Sequence, residues 1–170
     1  MPRSSLLPIT RRIDNLASEM EKFVPIGTTG ADSFRADLAG LLVVTIAACY
    51  EDCVKATLIE HAAKRHVDFE EFTAKNFSRL SSRVKVNNLH SYARLFGSAV
   101  EDSFKDKLEK RRRKISDRTG VNIESKYEQI LSWRHDYAHG GIKNTTISEA
   151  LNFNLYGIRV LYCFNEAFDL

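Results

Sequence analysis

The stretch SWRHDYAHGG, residues 132–141, gathers Arg134, His135, Asp136, Tyr137 and His139 just ahead of two glycines. Imidazole titrates near neutral pH, so a His can give or take a proton under ordinary conditions. Arg does not deprotonate, and its planar fork of donors matches a phosphate or carboxylate. Arg134 and His139 stand in R-x4-H spacing. On a helix that offset turns the side chains by about 140°, so the pair does not share a face in mid-helix. At a helix end the restriction relaxes. If Gly140 lets the chain leave the helix, Arg134 can reach forward and both groups can converge on one anion. The spacing alone is a weak signal; its crowded helix-end context gives it weight.

The neighbours carry two readings each. His135 follows the Arg and either orients it, contacts the same anion or is simply solvated. Asp136 either pairs with Arg134 or His139 or is a solvated last-turn residue. Tyr137 reads as a packing residue or a base-stacking platform rather than a catalyst. Glu51 interrupts the most apolar stretch of the chain, where an unpaired carboxylate is costly. It either pairs with Lys55 one turn on or reaches Arg134 inside the fold and fixes the guanidinium. The run KDKLEKRRRKISDR places Lys110, Arg111, Arg112, Arg113 and Lys114 on one helix, as a solvated face or as a surface that tracks phosphates. Net charge does not decide between these: 25 basic against 22 acidic side chains leave only +3,.

The elements that position these residues read as helices throughout. Only three prolines occur, all before residue 26, and no tract alternates in strand fashion. A first helix is expected from about Thr10 to Phe23 through Ile13, Leu16, Met20 and Phe23, broken by PIGTTG. Asp32 is the expected N-cap of a second helix to about His66, apolar on nearly every side and therefore central. Asp68 with Glu71 caps a third helix through Phe69, Phe72 and Phe77. VNNLHSYARLFG makes a fourth, opened by Asn87 or Asn88 and closed by Gly97. A charged fifth helix ends before Gly120. The sixth runs from about Glu124 to His139, with Tyr127, Ile130, Leu131 and Ala138 inward and Gly140 and Gly141 ending it. Thr146 and Glu149 form the capping box of the last helix, which sends Ile147, Leu151, Leu155, Ile158, Leu161 and Phe164 to the core. His61, His66 and His90 have no matching partners and are expected at surfaces or caps.

The expected fold is an all-α bundle of about six to seven helices in one domain over residues 1–170. Residues 1–30 supply an N-terminal helix and loop, and 31–170 the core. Cys49, Cys53 and Cys163 are an odd number with no metal-set spacing, so they read as free core thiols in a reducing, cytoplasmic setting. The start lacks the h-region of a secretory leader. The longest apolar run, about 13 residues, is too short to span a bilayer, so no membrane role is expected.

WRHDYAHG resembles the R-x4-6-H signature of the HEPN superfamily, in which a polar residue commonly follows the Arg and the His ends a core helix. FRADLAGLLVVTIAACYEDCVKATLIEHA is similar to the long first core helix of that superfamily, which carries an acidic residue at about the position of Glu51. NNLHSYARLFG is similar to the segment ahead of the charged helix in the RiboL-PSP-type branch. The resemblance spans the chain from about residue 32 onward.

It implies a metal-independent endoribonuclease, commonly a bacterial toxin or abortive-infection effector, with Arg134 and His139 as catalytic residues. No cofactor or metal is expected, because RNA supplies its own nucleophile in the 2′-OH. That hydroxyl needs a base, the 5′-oxygen an acid, and the developing phosphorane a cation. One motif brings one His, so the scheme calls for a homodimer with a composite site across a two-fold axis. The implied partners are RNA, a second copy, and an antitoxin or regulatory protein. In one subgroup a Tyr two positions after the motif His is modified by a partner nucleotidyltransferase; here that position is Gly141. Two other readings stand beside this one. One is a non-catalytic HEPN module that binds RNA, a nucleotide or a protein. The other is a plain helical dimerisation domain whose Arg134 and His139 complement a helix dipole.

Overall fold

A computed structural model of the chain describes residues 6–78, 80 and 83–169. Among these residues it forms seven α-helices and no strand: α1 (Leu7–Phe23), α2 (Asp32–Ala63), α3 (Val67–Phe77), α4 (Val86–Leu95), α5 (Ser98–Thr119), α6 (Ile123–Gly140) and α7 (Ile147–Ala167). No described helix is long and apolar enough to cross a membrane.

The 32-residue α2 is the axis of the bundle and packs against α1, α3, α6 and α7. Leu42, Ile46, Tyr50 and Leu58 on it are fully buried. Each such side chain contributes about 1.5–3 kcal/mol relative to exposure, before entropy is counted. Gly40 meets Tyr137, and Tyr50 stacks on Tyr127, so α6 runs antiparallel to α2. Trp133 meets Phe153 and Tyr127 meets Gly157, so α7 runs back antiparallel along α6. The three thiols are free and buried among these helices.

Several boundaries differ from the sequence pattern for local reasons. Helix α1 starts at Leu7 because Pro8 fits a first turn, where its missing N–H has no partner to lose,. Asp32 is the first residue of α2 and forms no side-chain cap; it lies in the first turn, where a carboxylate suits the helix dipole,. Helix α2 ends at Ala63. His66 then caps α3, its Nδ1 accepting from the Asp68 N–H at 3.2 Å, while Glu71 pairs with Lys75 instead of capping. The Asn88 side chain accepts from the Lys85 N–H at the start of α4. The Thr146 Oγ1 accepts from the Glu149 N–H, but the Glu149 carboxylate accepts from Thr145, so only half of the capping box forms.

Four apolar residues expected inward are exposed: Phe23, Phe72, Ala138 and Leu155. Phe23 is the last residue of α1. On α7 the inward face runs through Ala150, Gly157, Ile158, Leu161 and Phe164, which leaves Leu155 outside it. His61 is neither surface nor cap. It is buried with Nδ1 3.1 Å from the Phe168 carbonyl, between the rings of Phe96 and Phe168.

Candidate functional site

The C-terminal end of α6 is fixed to α2 from beneath. Gly40 leaves room for the Tyr137 ring: a Cβ there would lie 2.2 Å from Tyr137 Cε2. The Tyr137 hydroxyl donates to the Asp37 carbonyl at 3.4 Å, and Lys143 pairs with the Asp37 carboxylate at 2.6 Å. Tyr137 is thus a packing residue. Asp136 does its work locally: its carboxylate accepts from Asn144 Nδ2 at 3.2 Å and ties the following loop back to the helix. Among the described residues the Asp136 carboxylate forms no hydrogen bond or ion pair with Arg134 or His139.

Gly140 stays in the helix, and the turn-off comes one residue later at Gly141, whose φ of 62° is left-handed,. The five-residue offset therefore holds, with Arg134 and His139 about 140° apart around the axis. His135 and His139, four apart, share a face, and their rings lie 4.6 Å centroid to centroid. Both are exposed, whereas Arg134 is half-buried.

Arg134 and His135 line a cleft of about 260 Å³ against α2. Ala47 and Glu51 of α2 form one wall, Glu128 and Leu131 of α6 another, and Lys85 closes it from the start of α4. Glu51 is half-buried and shares this cleft with Arg134; in its own turn of α2, Lys55 lies 3.9 Å from Asp52. His139 is outside the cleft. Among the described residues no three His, Cys, Asp or Glu side chains gather as a metal would need.

The basic run lies elsewhere. Arg112 sits 3.7 Å from Glu124, in the first turn of α6, fifteen residues before His139 and so roughly 22 Å from it at 1.5 Å per residue,. Arg111 pairs with Glu166 at 3.4 Å, and Arg112 and Arg113 both pair with Glu109. Arg113 foremost, with Arg112, holds the Glu109 carboxyl below its usual value. Lys110 and Lys114 are exposed and form no ion pair among the described residues.

The family model of RiboL-PSP-HEPN matches residues 9–169 of the chain. The chain belongs to the RiboL-PSP-HEPN family. No curated protein and no solved structure matches it.

Within this HEPN chain the structure adds two charged residues that the sequence reading missed. Glu128 and Lys85 come to the same cleft as Arg134 only because α4 begins beside α6, where Glu128 Oε1 accepts from the Val86 N–H at 2.7 Å. They are 43 residues apart, and no spacing rule links them. Glu128 follows the buried Tyr127 as Glu51 follows the buried Tyr50, and these tyrosines stack at 4.8 Å, a contact that only the fold reveals. A stacked pair at the core places the residues after it on neighbouring helices near one another.

Proposed function

We propose that this HEPN protein is a metal-independent endoribonuclease acting as a homodimer, with a composite site built from two R-x4-H motifs. The observation that carries the reading is the pairing of a cleft-lining Arg134 with an exposed His135–His139 face at a helix end fixed to the core. One protomer separates its Arg and His around the α6 axis. A second copy facing it supplies the missing proton-transfer group and a second guanidinium.

In this scheme one His139 removes the 2′-OH proton and the 2′-oxygen attacks phosphorus. The other His139 protonates the departing 5′-oxygen, and the guanidiniums of Arg134 stabilise the phosphorane charge. The 2′-O–P bond forms and the P–O5′ bond breaks, leaving a cyclic phosphate and a 5′-hydroxyl. Glu51 and His135 orient the guanidinium, and Asp136 supports the site through the loop it ties down. The cellular role that fits such an enzyme is a toxin or anti-phage effector held in check by a partner protein.

The test is cleavage of single-stranded RNA by the purified protein, read with its mass in solution. The wild type is expected to be dimeric, and His139→Ala to lose about 10²–10⁴-fold in rate. Wild-type rates from His139→Ala would sink the mechanism. An undiminished specific rate in the monomer would remove the composite site. A non-catalytic RNA- or protein-binding module is the second reading, favoured by the position of His139 outside the cleft in one protomer. Growth arrest on expression, relieved by Arg134→Ala or His139→Ala, favours the enzyme; harmless expression favours the module.

A further inference from the structure

We propose that the cleft beside Arg134 is a nucleobase subsite that prefers guanine and rejects uracil through the Glu128 carboxylate. The proposal rests on the ribonuclease reading, because the cleft shares Arg134 and His135 with the motif.

At about 260 Å³ the cleft is smaller than pockets that take drug-sized ligands and has room for one base,. Its walls divide by chemistry. The buried Ala47 and Leu131 make an apolar floor, while Lys85 and Arg134 bring cations that a flanking phosphate would meet,. Glu51 and Glu128 bring two carboxylates, which when ionised only accept hydrogen bonds,.

Single-stranded RNA is read by stacking and by its Watson–Crick edges. Guanine presents N1–H and an N2 amino group side by side, and one carboxylate can accept from both. Adenine and cytosine present one amino group each. Uracil presents two carbonyls flanking a single N–H, so a carboxylate facing it meets acceptors and leaves them unpaired. The order expected is guanine, then adenine and cytosine, then uracil.

Glu128 is the better placed of the two carboxylates to discriminate. Its Oε1 is already fixed by the Val86 N–H at 2.7 Å, and this uses one of about four lone-pair sites on the group,. The same bond provides a clean variant. In Glu128→Gln the side-chain carbonyl still accepts from Val86, but the other oxygen becomes an NH₂ donor, which suits a uracil carbonyl.

Two measurements on the full chain test this. The first is calorimetric binding of 5′-GMP, 5′-AMP, 5′-CMP and 5′-UMP to His139→Ala. The second is wild-type cleavage of oligoribonucleotides that differ in one nucleotide next to the scissile bond. GMP is expected to bind at least about tenfold tighter than UMP, the worth of one bidentate contact. Adding Glu128→Gln should reduce that ratio to within about threefold while the melting curve stays in place. Equal binding of GMP and UMP, or a ratio that survives Glu128→Gln, overturns the subsite. RNA cleavage without preference at the varied nucleotide also overturns it and leaves the ribonuclease reading standing. GMP selectivity in His139→Ala beside a wild type that cuts no RNA does the reverse.

Discussion

At its N-terminal end α6 is held by its cap and by two neighbouring helices. Asn122 caps it, accepting from the Glu124 and Ser125 N–H groups, and Tyr127 lies fully buried against Tyr50. The Tyr127 hydroxyl donates to the Val84 carbonyl at 2.6 Å, and Gly157 lets α7 come so close that a Cβ there would sit 3.0 Å from Tyr127 Cα. At its C-terminal end it is held on one side by Tyr137 over Gly40 and by the Asp37–Lys143 pair, with the following loop tied back by Asp136. The other side offers His135 and His139 to solvent. One helix thus combines an anchor with a presented face. Catalytic groups need position more than burial, and a rigid helix supplies position two or three turns from where it is anchored.

This contrast predicts that stability and activity separate along α6. The largest effect is expected at the anchor. Tyr127→Ala empties a buried aromatic site and should cost about 3–5 kcal/mol in denaturant unfolding. His139→Ala, on an exposed position, should stay within about 0.5 kcal/mol of wild type while RNA cleavage is lost. Comparable destabilisation by both would dissolve the distinction.

Next in size is Gly40→Ala, at the hold beneath the presented face. Its Cβ would collide with the Tyr137 ring, and overpacking of this kind costs about 1–3 kcal/mol,. Because the ring must move, RNA cleavage should fall together with stability. The effects of Gly40→Ala and Tyr137→Ala should be clearly non-additive, since the second removes the obstacle met by the first. Simple additivity would mean that the contact at Gly40 does not position the helix end.

Tyr127→Phe should cost less, about 1 kcal/mol, for the lost hydrogen bond to Val84. Burial raises the Tyr127 pKa well above its usual value. The unfolded chain therefore ionises first, and the stability present below pH 10 declines as pH rises beyond it. Tyr127→Phe should flatten that alkaline limb in unfolding curves taken from pH 8 to 11. An unchanged limb would assign the decline to other buried groups.

The sequence made the anchor partly legible and the close contacts hardly at all. Periodicity and capping residues announce α6 and α7 because both act within a few residues of chain. Tyr127, Ile130 and Leu131 are buried as their spacing implies. The exposed Leu155 and Ala138 show where a three-to-four spacing drifts off the true face. Gly40 sits within a helix-forming run, and only the approach of Tyr137, nearly a hundred residues on, explains why no side chain fits there. Arg134 and His139 stood out by type and spacing, and Glu51 by its apolar surroundings. Lys85 and Glu128 did not, because a cleft between helices is a property of packing. The basic run was legible only in part: sequence shows the charges but not the carboxylates paired with its arginines.

Those partners set the last and smallest prediction. Arg111, Arg112 and Arg113 are paired with Glu166, Glu124 and Glu109, so a phosphate arriving there would have to compete with a carboxylate for each. Surface pairs of this kind, even when partly covered, contribute about 0.2–1 kcal/mol each, so the triple Ala variant should destabilise only slightly. Lys110 and Lys114 carry no such pairing. Each phosphate contact on a single strand steepens the salt dependence of binding by about 0.7. Lys110→Ala with Lys114→Ala should then flatten the slope by up to about 1.4, and the triple Arg variant by less, although it removes more charge. The effect should also depend on RNA length. The run lies roughly 22 Å from His139 along α6, farther than a dinucleotide reaches, so a dinucleotide should be insensitive to either variant. A larger slope change from the arginines, present even in a dinucleotide, would place the run beside the scissile phosphate of the proposed site.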